Sequence, residues 1–171
     1  ISFIKTGVVQ FGLGVSLSPV QIERMTTTKV FAVQEGKDKG MAPLGFRVVS
    51  YGVYTMPFFV NATAAQQTNC TPKDIELLLR LIPYAYTQSA SYIRPQVNIR
   101  NAFYAEHNNP RGTFSDFRMI ELLTPQRIGD NAKPATCWKD YDGKQLEKSL
   151  ESFKTSFKGK FSKIEDLMER M

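Results

Sequence analysis

A basic, glycine-rich segment between two strand-like runs is the feature that most restricts how this chain folds. The runs lie at 30–33 and 46–49, and both carry the β-branched and aromatic residues that favour strands. The segment between them, 36–45, contains Lys37, Lys39 and Met41. This pattern predicts a β-hairpin whose tip projects from the body of the domain.

Such a projection suits contact with a nucleic acid. Its lysines can hold a phosphate backbone, and Met41 can enter between bases as an apolar wedge. Two plainer interpretations stay open: Met41 folds back on the domain, or the lysines only solvate a hairpin tip.

The overall charge supports a polyanionic partner. The 171 residues include 22 Lys or Arg against 16 Asp or Glu, which gives a net charge of +6 and a pI near 9.3. This balance favours nucleic acid or an anionic membrane surface, with ordinary solubilising charge as the alternative. No apolar run reaches the roughly 18 residues that span a bilayer. The length predicts one domain, with room for a tail.

The start of the chain and its cysteines predict what portion of a protein this is and where it is located. The chain opens inside a strand-like run, 1–4, with no secretory signal pattern. We therefore expect the C-terminal portion of a longer protein, with its N-terminal part missing. Cys70 and Cys137 match no metal-binding spacing. We expect a reducing, cytoplasmic location.

Strands and one helix are predicted in the first three quarters of the chain. Strands are expected at 8–12, 47–59, 96–107 and 117–123, with a turn at 108–112. A helix is expected from Pro72 to about Ile82, because Thr71 can cap it and apolar residues follow at helical spacing. The order strand, helix, strand, strand predicts an α+β, RRM-like (ferredoxin-like) domain.

The last quarter of the chain has a different pattern. A polar loop is expected at 129–143, followed by one amphipathic helix over 144–171. This divides the chain into an RRM-like palm portion, 1–125, which carries the hairpin at about 22–50, and a C-terminal loop and helix, 126–171. Whether the helix packs on its own sheet, on a partner or on a membrane stays open.

Catalytic groups are scarce. His107 is the one histidine, and Ser115 and Asp116 follow it across the turn. Three common polar residues around a turn are weak evidence for a nucleophilic site, and there is no phosphate-binding glycine loop or metal-ligand cluster. We expect no enzyme, no cofactor and no metal.

Nucleic-acid binding is better supported. Most candidates cluster on or near the predicted hairpin, where cations and hydroxyls can contact phosphates. Arg94 and Arg100 are separate candidates, with surface salt bridges as the alternative. The full set of candidate RNA-binding residues is Arg24, Thr26, Thr27, Lys29, Lys37, Lys39, Met41, Arg47, Arg94 and Arg100.

Several short motifs lie in a particular order along the chain, at 7–20, 22–28, 49–54, 104–112 and 117–123. Together they resemble the Cas7 backbone subunit of type I CRISPR Cascade effector complexes, in its I-B and I-C branch. The resemblance covers about residues 4–125. Val9 replaces an expected proline, and Val15 stands where a basic residue is common.

The resemblance implies a non-catalytic protein of antiviral defence. Several copies would assemble head to tail along a CRISPR guide RNA, beside other Cascade subunits. The hairpin would serve as a thumb that displaces bases periodically, so that the spacer can pair with target DNA. On this basis Arg24, Lys29 and Arg47 would position phosphates, and Met41 would be the wedge.

Two alternatives come from other classes. A stand-alone RRM-like RNA-binding protein would carry paired aromatics on its central strands, but Phe103 and Tyr104 are predicted on opposite faces. A nuclease would use His107 and Asp116, and we expect no cleavage from them.

Overall fold

The computed structural model describes residues 6–30 and 41–171, with the backbone alone at 28–30 and 41–43. The described part is mixed α and β, so the expected α+β class is confirmed at that level. The expected strand at 1–4 lies outside the described residues. The described strands are β1 (Val9–Phe11), β2 (Val15–Ser16), β3 (Ile22–Val30), β4 (Met41–Val49), β5 (Tyr54–Thr55), β6 (Phe58–Val60), β7 (Phe103–His107) and β8 (Phe161–Asp166).

The described α-helices all lie between β6 and β8. Short 3₁₀ turns occur at Ile82–Tyr84, Trp138–Asp140 and Leu167–Arg170. No helix in the described part is long and apolar enough to cross a membrane. The described α-helices are α1 (Ala62–Thr68), α2 (Pro72–Leu81), α3 (Asp116–Leu122) and α4 (Gly143–Ser156).

Within the described ranges the strands pair two by two and antiparallel. β3 and β4 form a ribbon of nine residue pairs, from Ile22 opposite Val49 to Val30 opposite Met41. β1 pairs with β6, β2 with β5, and β7 with β8. This pairing does not establish an RRM-like sheet, which stays a prediction.

Helix α2 begins and ends as the sequence predicts. The Thr71 backbone N–H donates to the Asp74 carboxylate at 2.8 Å, which fixes the first turn. This bond and a second one from the Thr71 hydroxyl lower the pKa of Asp74. Pro83 then falls in the 3₁₀ turn that ends the helix.

The best-packed part of the core joins α4 to β8. Phe153 and Leu167 are fully buried, at 1% and 0% exposure. The Phe153 ring lies 5.5 Å from Phe161 and 4.9 Å from Phe157. The C-terminal segment therefore packs on its own chain, and β8 supplies the partner strand of β7.

The predicted strand over 47–59 is wrong as a single element. β4 ends at Val49 and pairs with β3, whereas β5 and β6 pair with β2 and β1. The chain bends between these segments at Ser50 and Tyr51. The sequence here is one continuous β-rich run, but its parts pair with different strands and therefore form separate elements.

The predicted strand over 96–107 is too long. Only β7 pairs, because its partner β8 gives way to a 3₁₀ turn after Asp166. The Leu167 N–H donates to the Ala102 carbonyl at 2.7 Å, which is the last bond of this ladder. Residues 96–101 have no opposing strand in the described part.

The predicted strand over 117–123 is a helix, α3. Its Met, Glu and Leu residues are good helix formers. Met119, Ile120 and Leu123 are half-buried, and their spacing suits one face of a helix. A short apolar run suits either a strand or a helix, and here the spacing of the half-buried residues matches the helix that forms.

The predicted helix over 144–171 is correct only to Ser156. Gly159 adopts a positive φ of 88°, a conformation that glycine tolerates and that ends helices. Residues 161–166 then extend as β8. Their apolar spacing matched a helix, but pairing with β7 determines their conformation.

Candidate nucleic-acid interface

The β3–β4 ribbon brings two predicted binding residues together. Arg24 and Arg47 are Cα partners in its register, so both side chains belong to the same face. Both residues are exposed. In the described part of the chain neither guanidinium pairs with a carboxylate. The ribbon therefore presents two cations side by side to solvent.

The same face is open at the positions where the structure describes its side chains. Thr26 is exposed and lies opposite Gly45, where an added Cβ would meet no atom within 4 Å. At the base of the ribbon Ile22, 61% exposed, lies opposite Val49. Cations, a hydroxyl and an unobstructed backbone are the groups that contact a phosphate chain.

The other face of the ribbon approaches the rest of the chain. Phe46 is half-buried, and its ring meets Tyr92 edge-on at 6.4 Å. Thr27, opposite Leu44, lies on this second face. The alternation of the strand thus separates Thr27 from Arg24 and Thr26, although the sequence grouped them.

The remaining hairpin candidates lie toward or beyond the far end of the ribbon. Lys29 is the register partner of Ala42, and Met41 is the partner of Val30. Lys37 and Lys39 lie outside the described residues. Their assignment to phosphate binding stays a prediction.

Arg94 and Arg100 lie outside the ribbon. The Arg100 guanidinium stacks 4.2 Å above the Trp138 ring. It borders a hollow of about 350 Å³ that three acidic residues also line, which disfavours phosphate there. Arg94 closes a tight turn with Ser91 and has no ion-pair partner in the described segments. The acidic residues of the Arg100 hollow are Glu147, Asp166 and Glu169.

Sequence reasoning missed a set of exposed aromatic residues in the segment after α2, one of which contacts the ribbon. Tyr92 is 66% exposed although its edge touches Phe46, and Tyr84 and Tyr86 are also exposed. Exposed aromatic rings can stack on nucleobases. The sequence signal for this set was the recurrence of tyrosine within a dozen residues.

His107 holds a turn in place. Its Nδ1 accepts from the Thr113 backbone N–H at 3.0 Å, so its Nε2 carries the proton and donates to Asp116 at 2.8 Å. The ring also packs on Phe161, 4.8 Å between centroids. Both nitrogens are occupied, which leaves none to activate Ser115.

The ribbon with its paired arginines defines a candidate nucleic-acid-binding protein. Over residues 2–145 the chain matches the family described as CRISPR-associated protein Cas7. It therefore belongs to the Cas7 family, which is a family of CRISPR effector subunits. A comparison with curated proteins finds no match.

Proposed function

We propose that this protein is the guide-RNA-binding backbone subunit of a Cascade-type CRISPR effector complex. Several copies bind along one guide RNA and leave its spacer free to pair with target DNA. Membership of the Cas7 family supports the backbone role. The I-B or I-C branch, a cytoplasmic location and contacts with other Cascade subunits belong to the same proposal.

The observation that carries the proposal is the opposition of Arg24 and Arg47. Like charges directly opposite each other destabilise a two-stranded ribbon. A bound phosphate chain removes that cost, because it supplies the counter-charge that the described residues lack. Guanidinium groups also match phosphate oxygens in a bidentate geometry.

The tip of the hairpin extends this surface in the proposal. Lys37 and Lys39 neutralise further phosphates, and Lys29 of β3 does so within the ribbon itself. Met41 displaces a base as an apolar wedge. The ribbon with its connecting tip is then the thumb of the subunit.

The protein acts without catalysis in this proposal. The geometry of His107 supports that role, because Thr113 and Asp116 occupy both ring nitrogens. RNA stays intact in the complex, and base pairing alone reads the target. The alternative, a stand-alone RRM-like protein, is not favoured by the family match.

Sizing of the protein with guide RNA tests the proposal. The RNA carries a CRISPR repeat with spacers of two lengths, and light scattering measures the mass at two salt concentrations. The variant is Arg24→Gln/Arg47→Gln. The matched control, Lys148→Gln/Lys154→Gln, removes two exposed charges from α4.

We expect mass to grow with spacer length in the wild type and in the α4 control. The ribbon variant should bind more weakly and with a shallower salt dependence, by about 1.4 in log–log slope for two phosphate contacts. RNA binding by a monomer at every spacer length would indicate the stand-alone module instead. Equal loss in both variants would show that only net charge matters.

A further inference from the structure

A small hollow lies in the segment that follows α2. It measures about 110 Å³, and it lies within residues 86–98. Its size suits a single planar group, since sites for whole small molecules span roughly 300–1,000 Å³. Four of its lining residues can recognise a nucleotide: Tyr86, Arg94, Gln96 and Asn98.

The walls of the hollow are fixed by local hydrogen bonds. The Thr87 hydroxyl donates to the Tyr84 carbonyl at 2.9 Å, and the Ser89 hydroxyl donates to the Tyr86 carbonyl at 3.1 Å. Ser91 and Arg94 exchange both backbone hydrogen bonds, at 3.0 and 2.9 Å. The Thr87 and Ser89 hydroxyls therefore stabilise the conformation of the segment.

The larger polar groups of the hollow remain available. In the described part of the chain, the Tyr86 hydroxyl, the Arg94 guanidinium and the side-chain amides of Gln96 and Asn98 have no hydrogen-bond or ion-pair partner. An aromatic ring can stack on a base, and an amide offers a donor and an acceptor to its edge. A guanidinium can pair with the attached phosphate.

The segment that forms the hollow contacts the proposed RNA-binding ribbon through Tyr92, which does not itself line the hollow. Tyr92, between Ser91 and Arg94, contacts Phe46 of β4. Phe46 precedes Arg47 and lies on the opposite face of the ribbon. Tyr92 therefore contacts the ribbon on the side away from the arginines, and the nucleotide in the hollow belongs to a part of the RNA that has left the arginine face.

We propose that the hollow binds one unstacked nucleotide of single-stranded RNA. Its base stacks on Tyr86, its edge meets the amides of Gln96 and Asn98, and its phosphate pairs with Arg94. This inference rests on the proposed function for the identity of the RNA. Its chemistry, however, requires only an unpaired nucleotide.

Photo-crosslinking of the full chain tests the site. Guide RNAs carry 5-iodouridine at one spacer position at a time, and mass spectrometry locates the crosslinked residue. A tetranucleotide with the same base, too short to bridge several copies, serves as the second probe. The variants are Tyr86→Leu and Arg94→Gln, with Phe117→Leu, at an exposed aromatic residue of α3, as the control outside the hollow.

Crosslinks to Tyr86 with both probes are expected, and Tyr86→Leu should abolish them. Arg94→Gln should lower their yield at least fivefold, while Phe117→Leu should leave it unchanged. Crosslinks confined to the ribbon, or to a contact between two copies, would overturn the proposal. Crosslinking of the tetranucleotide without RNA-templated oligomers would retain this site and refute the backbone function.

Discussion

Arg24 and Arg47 face each other across the β3–β4 ribbon, on its exposed side and with no carboxylate partner in the described residues. An opposite charge in one of these positions would stabilise the ribbon by about 0.2–1 kcal/mol. The protein instead presents two cations. Their repulsion lowers the stability of the free protein, and the same two charges form a surface that can bind an anionic chain.

Arg47→Glu should therefore stabilise the free protein while it weakens RNA binding. The change gives Arg24 an opposite charge across the ribbon, with an expected gain of about 0.2–1 kcal/mol in the free energy of unfolding. Urea unfolding at low salt measures it. Arg47→Gln, the control, should gain less, and high salt should reduce both effects. Loss of stability in both variants would contradict the idea of uncompensated repulsion.

Replacing a buried and an exposed phenylalanine by alanine should change the free energy of unfolding by very different amounts. Phe153→Ala removes a ring that is 1% exposed and packs against three others, and should cost about 3–5 kcal/mol. Phe117→Ala, at a position 84% exposed, should change stability by less than about 0.5 kcal/mol. Thermal unfolding followed by circular dichroism compares them. Similar costs would show that Phe117 is buried against a partner in solution.

Two glycines should respond to alanine in opposite directions. Gly159 has a φ of 88°, and Gly159→Ala should cost about 1–2 kcal/mol because a Cβ is strained there. Gly45 lies within β4, and nothing obstructs an added Cβ. Gly45→Ala should be neutral or stabilise by up to about 1 kcal/mol. Chemical unfolding of both variants tests the turn between α4 and β8.

Acid should weaken the ion pairs that hold the chain terminus. Burial raises the pKa of Glu165, but hydrogen bonds and charge from Lys163 and Arg170 outweigh it, so the folded pKa lies below 4.5. A lowered folded pKa gives stability above the unfolded value, and this stability is lost as the pH falls through the folded one. We expect wild-type stability to fall below about pH 5.

Arg170→Met should flatten this acid dependence. Arg170 bonds both oxygens of Glu165, at 2.6 and 3.2 Å, and reaches Glu76 of α2 at 3.0 Å. The loss of these bonds brings the folded pKa of Glu165 closer to its unfolded value. Unfolding free energies from pH 7 to pH 3 measure the slope. Lys148→Met, which removes an α4 charge, should keep the wild-type profile.

His107→Ala should destabilise the protein without affecting any RNA cleavage. The change leaves the Asp116 carboxylate and the Thr113 N–H without their partner, which costs about 1–3 kcal/mol. We expect wild-type protein and variant to leave guide RNA equally intact on a denaturing gel. Ser115→Ala, the control, removes a hydroxyl that forms no capping bond. RNA cleavage that disappears with His107 would indicate a nuclease.

Local signals predicted the elements that depend on neighbouring residues. Thr71, Pro72 and Asp74 predict the start of α2, because capping involves residues within one turn. The Asn-Asn-Pro-Arg-Gly turn is equally local, and Gly112 adopts the positive φ that ends it. The candidate binding residues come from the same kind of local signal, residue types on a basic hairpin, and their role stays a prediction.

Elements that need a distant partner were not predictable from the sequence. Residues 161–166 carry helical spacing but extend because β7 pairs with them, and 117–123 fold as a helix although a strand was expected. A short apolar run suits either conformation until its neighbours are known. The division of Thr26 and Thr27 between two faces follows from the ribbon's alternation and from what each face meets.

The sequence by itself determined that this chain is basic, has Cas7 motifs and carries arginines on two β-forming segments. Only the tertiary structure decided that Arg24 and Arg47 lie directly opposite each other, and that the face they share is the more exposed of the two. The physical reason is register: a shift of one residue would move either side chain to the other face. That register depends on pairing between residues distant in the chain.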